Sequence, residues 1–388
     1  MRQVWVLLLL LVGCAGTSPA SEGQVSERGE TAVAEASALD SLPALRWQVA
    51  IGPGLKAPAQ VAGGHVVVAT DTAVIALNPA TGAESWRMPS AAGVWRRSLA
   101  ASGDQIVVGV PGYALALNAV TGEELWRQPV TGELLWPAFI TEETILLGTA
   151  FVGPDAPPVA DGLAWVYALD AATGAVLWAH ETAAYTLITP VAANGLVGVA
   201  GSMLGDSAVK EGGHLRLHLY DLASGALRWS VDREDGFVKT LAMDEQSLYF
   251  LAYTDVLYGL SLADGSVAWQ YPTENWSPGF GFSREEEAVY FGSDNAFVHK
   301  VDGASGTAVW RQPLEGVFNA PRSPVVLAGD SLYFQGNDNR LYALDRANGA
   351  VLWQTEPQTR SLFAPTLGLG HLFLVGSDGV LYAYGPPD

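Results

Sequence analysis

The chain has 388 residues, 49% of them hydrophobic and 15% charged, with 43 glycines, a composition that excludes a disordered chain and fits a folded, turn-rich β protein. Forty Asp and Glu against twenty Lys and Arg leave a net charge of −20. A surface this acidic is repelled by phosphate backbones, which argues against nucleic acid as a partner.

Met1 and Arg2 precede the apolar run Val4–Val12, followed by Gly13 and Cys14. A basic start, an apolar stretch too short to span a bilayer and small residues after it predict an export signal over residues 1–13. The ending "LVGC" resembles the bacterial lipobox, so Cys14 is expected to be lipidated and to anchor the chain. It is the only cysteine, which excludes an internal disulfide. Residues 14–43 are rich in Ala, Ser, Glu and Gly without a strand-like run and predict a flexible tether. A folded domain is expected over 44–388.

From Ala76 the chain keeps returning to one phrase: "ALNPATGAESW", then "ALNAVTGEELW" at Ala116, "ALDAATGAVLW" at Ala168 and four further variants. The pairs Thr81-Gly82, Thr121-Gly122, Thr173-Gly174, Ser224-Gly225, Asp264-Gly265, Ser305-Gly306 and Asn348-Gly349 each sit between two alternating apolar runs. That is a hairpin signal, because glycine accepts the positive φ that tight turns require. Two more strands lie upstream of each hairpin, so the unit is a four-stranded meander of roughly forty residues, the period of a β-propeller blade.

The tryptophans count the blades: Trp47, Trp86, Trp126, Trp178, Trp229, Trp269, Trp310 and Trp353. Trp47 lacks a preceding hairpin, while Thr366–Gly385 supplies three strands and then stops. The strand around Trp47 is therefore expected to complete the last sheet and close the ring. The expected fold is an all-β, eight-bladed propeller of four-stranded antiparallel blades, with the tryptophans packed between neighbouring sheets.

The pattern A-L-(N/D)-x-x-T-G-x-x-x-W resembles the docking repeat of the quinoprotein-like propeller superfamily, and it runs from about Ala44 to the end. Together with the lipobox and tether, it resembles the BamB family of outer-membrane assembly lipoproteins. That resemblance implies a lipid-anchored, non-enzymatic scaffold in the envelope, on the outer membrane and facing the periplasm. Its partner would be a barrel-assembly subunit or an unfolded outer-membrane protein, with the membrane reached only through the lipid. The family's partner loop usually carries an Arg-Gly-x-Ser-Ala-Pro-like stretch, from which the nearest equivalents here, "YTLITPVA" and "FNAPRSPV", depart. The superfamily also contains pyrroloquinoline quinone dehydrogenases, so a quinoprotein enzyme, or a propeller binding a small molecule in its central channel, is the alternative.

The residues favour the scaffold. The chain lacks the adjacent cysteines that such dehydrogenases typically carry beside the quinone, a G-x-S-x-G elbow, a phosphate loop and H-E-x-x-H. His214 and His218 fall on a strand, where four residues span about 13 Å, too far for one ion. Neither a metal site nor a cofactor is expected.

Binding is then expected in loops. Two adjacent blades exceed the period, through insertions at 150–164 and 201–214 that should protrude side by side. A second candidate is a ring at the mouth of the channel, formed by residues that precede each innermost strand. Its members are Trp95, Arg96, Arg97, Trp136, Tyr185, Phe237, Lys239, Trp276, Phe318, Arg322, Arg360 and Phe363. Aromatic and Arg side chains concentrated on one face match the composition of interface hot spots.

Overall fold

The computed structural model describes residues 39, 41–52, 55, 57–91, 93–95, 97–150, 164–184, 186–203, 214–274, 277–315, 321, 323–356, 358–361 and 363–386. Every named element among them is a strand, and the strands form eight antiparallel sheets. Blade 1 pairs Gln60–Ala62, His65–Ala69, Ala73–Leu77 and Glu84–Pro89 in that order, and the later blades repeat the plan. Blade 8 holds Thr366–Gly368, His371–Val375 and Val380–Gly385, and takes its fourth strand, Ala44–Ala50, from the other end of the chain. The ring is an eight-bladed propeller closed as the sequence predicts. Blade 4 departs in detail: its inner strand is split into Thr186–Leu187 and Val191–Ala193, both paired with Leu196–Met203.

Burial follows strand order. In blade 1, Ala73–Leu77 is buried throughout, whereas the outermost strand Glu84–Pro89 alternates between exposed and half-buried. The inner strands pack against sheets on both faces, so their apolar residues run almost without a break. The core lies between blades: one cluster joins Val67, Val74 and Ala76 of blade 1 to Ile106, Val108 and Leu115 of blade 2.

The repeated phrase is the joint between blades. Its turn is wider than a two-residue hairpin. The amide of each turn glycine donates to the carbonyl four residues back, from Gly82 to Asn78 through to Gly349 and Asp345, at 2.8–2.9 Å in all seven turns. In six of the seven turns an Asn or Asp side chain caps the turn, as where Asn78 Oδ1 accepts the amides of Ala80 and Thr81, and in blade 5 the Ser261 hydroxyl accepts the Ala263 amide. Glycine is required on two counts. Gly174, at φ +71°, would place a Cβ 2.5 Å from the Trp126 ring of the preceding blade. The same tryptophan donates its indole N–H to Ala171 O at 3.0 Å. All eight repeat tryptophans make such a bond to a backbone carbonyl, at 2.7–3.0 Å, and so dock blade to blade.

Candidate docking face

The segments leading into the innermost strands emerge on the face opposite the glycine turns. Among the described members of the expected ring, three converge. The Arg97 guanidinium carbon lies 5.4 Å from the Trp136 ring centroid and 6.0 Å from that of Phe363. Trp136 leads into blade 3 and Phe363 into blade 8, with blades 1 and 2 between them in the ring. Contact with both rings therefore sets Arg97 across the mouth of the channel.

Local backbone geometry holds Arg97 there. The Ser98 amide turns back onto Trp95 O at 3.4 Å, and Ser98 Oγ donates to the same carbonyl at 3.0 Å while accepting the Gly109 amide at 3.0 Å. Within this turn Arg97 has φ +60°, a left-handed conformation that glycine adopts freely and that costs another residue about 1–2 kcal/mol. Trp95 points the other way, into the contact between blades 2 and 3, where it packs beside Gly109 and Leu134.

A second group sits on blade 5. Phe237 meets Tyr253 edge-on at 5.9 Å, and Lys239 Nζ lies 4.9 Å from the Tyr253 ring centre. Lys239 is already spent within the fold, paired with Asp255 at 2.8 Å, and its side chain is buried. It belongs to the ring by position but offers no free charge. Tyr253 is a candidate contact that sequence reasoning missed; it is 57% exposed. Arg360 is exposed, and its carbonyl receives the Ser377 amide at 2.7 Å. Arg96, Tyr185, Trp276, Phe318 and Arg322 lie outside the described residues, as do Cys14 and residues 151–163 and 204–213 of the two insertions.

The stems of those insertions are described, and they are joined. Antiparallel bridges link Glu133 to Ala150 and Ala150 to Thr186, and Thr186 pairs with Ser202. Blades 3 and 4 are thus welded by backbone hydrogen bonds where the two loops leave the propeller. Burial raises the Glu133 carboxyl above its ordinary range.

The remaining polar clusters read as interior structure. His299 Nε2 lies 3.2 Å from Ser293 Oγ and Nδ1 lies 3.1 Å from Tyr271 Oη, but His299 and Ser293 have no exposed surface, so no substrate could reach the pair. Burial, aided by Arg311, depresses the His299 ring to about 4. His218 is also buried, against Tyr220, and is lowered to about 4 chiefly by burial; neither ring nitrogen has a hydrogen-bond partner. A groove of about 900 Å³ opens on the glycine-turn side of blades 3 and 4, lined by Glu142, Glu143, Asp170, Asp221 and Arg228 among others. Asp170 and Asp221 cap their own turns there, and the bonds from Ser224 and Arg228 hold Asp221 down at about 2. Among the described residues, no three His, Cys, Asp or Glu side chains come together in a way that could hold a metal ion.

Comparison with known proteins identifies relatives of the propeller. The family described as outer membrane protein assembly factor BamB matches residues 32–127, 71–152, 162–300 and 294–386. The outer membrane protein assembly factor BamB of Yersinia pestis is 26% identical over 280 residues, covering 65% of this chain and 66% of that protein, just under two thirds of its length. Among solved structures, BamB from Moraxella catarrhalis superposes with a TM-score of 0.62 at 17% identity, over 89% of this chain and all of that one. Quinohemoprotein alcohol dehydrogenase from Comamonas testosteroni gives 0.64 at 13% identity, over 89% of this chain and 77% of that one. At these identities the superpositions speak to the fold alone.

Proposed function

The chain belongs to the propeller family described as outer membrane protein assembly factor BamB, and on that premise we propose that it is a non-enzymatic scaffold in outer-membrane protein assembly. The observation that carries this reading is the extent of the family match, which takes in the propeller from its first blade to its last. In this reading Cys14 carries the lipid that holds the chain on the outer membrane, facing the periplasm. An envelope protein, either an assembly subunit or an unfolded outer-membrane protein, docks on the channel-mouth face. The convergence of Arg97, Trp136 and Phe363 supports that choice of face, because exposed Arg over aromatic rings is the composition of binding hot spots.

The likeness to quinohemoprotein dehydrogenases does not favour an enzyme, since it shows only a shared propeller. Two measurements on the full chain separate the readings. Affinity purification from native membranes is expected to bring down an outer-membrane assembly protein. Supplying pyrroloquinoline quinone and Ca²⁺ is expected to yield no oxidation of alcohols or sugars. Quinone-dependent turnover without a co-purifying envelope protein would replace the scaffold by an enzyme.

A further inference from the structure

From the Arg97 cradle we infer that the channel mouth takes an extended acidic segment, one carboxylate of which pairs with Arg97 between Trp136 and Phe363. The inference rests on the scaffold reading for the face it uses, and adds the chemistry of what docks there.

Charge is the first argument. The chain has twice as many acidic as basic residues, and its arginines readily find carboxylates: Arg87 pairs with Glu84, Arg127 with Glu124 and Arg216 with Asp232. Among the described residues the guanidinium of Arg97 has no such partner; its contacts are the two rings. A cation left unpaired in so acidic a protein is available to a carboxylate from outside.

The second argument is conformational. Arg97 occupies a left-handed position that glycine would fill without strain, so the backbone there does not call for arginine. What the side chain provides is placement. Its guanidinium carbon lies over two aromatic rings, and a guanidinium held there can turn N–H groups outward to donate to both oxygens of a carboxylate. Rings on one side also thin the water around the ion pair and strengthen it.

The third is shape. The two rings come from blades 3 and 8, so a ligand over Arg97 lies along the rim and has apolar surface on both sides of the charge. Arg360, exposed three residues before Phe363, adds a second cation on the same rim. Alternation of acidic and apolar side chains, as on an extended strand, fits that order of contacts.

The probe is a fluorescein-labelled octapeptide of alternating Glu and Val, with its Lys–Val counterpart, titrated by anisotropy against the full chain and its variants. The Glu–Val peptide is expected to bind, more weakly as salt rises from about 50 to 500 mM, and the Lys–Val peptide is not. Arg97→Gly is expected to weaken binding by about tenfold or more with little change in melting temperature, because the relieved backbone offsets the lost ring contacts. Arg97→Lys is expected to restore little, lacking the planar fork. Equal binding of both peptides, no binding of the Glu–Val peptide to the parent, or undiminished binding to Arg97→Gly would each overturn the inference. Failure here with continued co-purification of an assembly protein leaves the scaffold standing. Acidic-peptide binding without co-purification leaves the site standing and removes the scaffold.

Discussion

The indole N–H of Trp353 donates to the carbonyl oxygen of Leu39 at 2.9 Å, and this contact is the eighth joint of the ring. The other seven repeat tryptophans find their acceptor in the glycine turn of the next blade. Blade 8 has no such turn, because its fourth strand arrives from the other end of the chain. Leu39 takes its place: its carbonyl receives the indole, its amide donates to Tyr333 Oη at 2.9 Å, and its side chain is buried in the cluster between blades 7 and 8. Closure is thus made twice, by the strand Ala44–Ala50 and by a residue within the stretch expected as tether.

Removing Leu39 tests the second closure. A chain that starts at Ser41 keeps the closing strand but loses one buried leucine side chain and two hydrogen bonds. It is expected to be less stable than one that starts at Ala38 by about 2–4 kcal/mol, measured by urea unfolding. Equal midpoints would show that the strand alone closes the ring.

Two glycines with the same sign of φ separate backbone strain from ring contact. Gly103→Ala, at φ +56° with open space around the added methyl, is expected to cost about 1 kcal/mol. Gly174→Ala, at φ +71° and against the Trp126 ring, is expected to cost about 3 kcal/mol or more. Thermal unfolding of the pair checks the difference, which the docking role of the tryptophan requires.

His218 and His299 give the stability a pH dependence whose sign follows from burial. Both rings are held neutral in the fold down to about 4, while the unfolded chain takes up protons near 6.5. Stability is therefore fully present above about 6.5, falls as the pH drops towards 4, and levels off below that, by up to about 3 kcal/mol for each histidine. Loss of capped carboxylates such as Asp221, held at about 2, belongs to a lower window. His218→Phe removes two unpartnered ring nitrogens and is expected to raise stability at pH 7 and flatten the slope between pH 6.5 and 4. An unchanged slope in chemical denaturation across that range would show that His218 titrates normally.

The blade count, the closing strand and the tryptophan docking were legible in the sequence because each leaves a periodic mark. Glycine and tryptophan recur at fixed distance, and no other residues satisfy both the left-handed turn and the ring that covers it. Leu39 was not legible, since its essential atom is a backbone carbonyl that every residue carries. The Arg97 cradle was half legible. Its members were recognisable by type and by position before the inner strands, but their meeting depends on ring curvature that brings blades 3 and 8 to one side chain. Lys239 fitted the same pattern, yet Asp255 neutralises it from the neighbouring turn, a pairing that spacing along the chain does not reveal. The divided inner strand of blade 4 left no mark beyond the long insertion that follows it.

The proposed lipid anchor, Cys14, is checked by fractionation. Cys14→Ser is expected to move the chain from the membrane to the soluble fraction without shifting its melting temperature, because a lipoprotein is retained by its acyl chains and not by a spanning helix. Continued membrane retention of the serine variant would reject Cys14 as the anchor.

The most direct test of a scaffold that docks its partner at the channel mouth is quantitative co-purification from native membranes. The full chain is compared with an Arg97→Glu, Arg360→Glu double variant and with Glu123→Lys on the glycine-turn face. The double variant is expected to lose about nine tenths or more of the co-purifying assembly protein while its folding stability stays within about 0.5 kcal/mol for each exposed change. Glu123→Lys is expected to retain the partner in full. Undiminished recovery with the double variant would contradict the account.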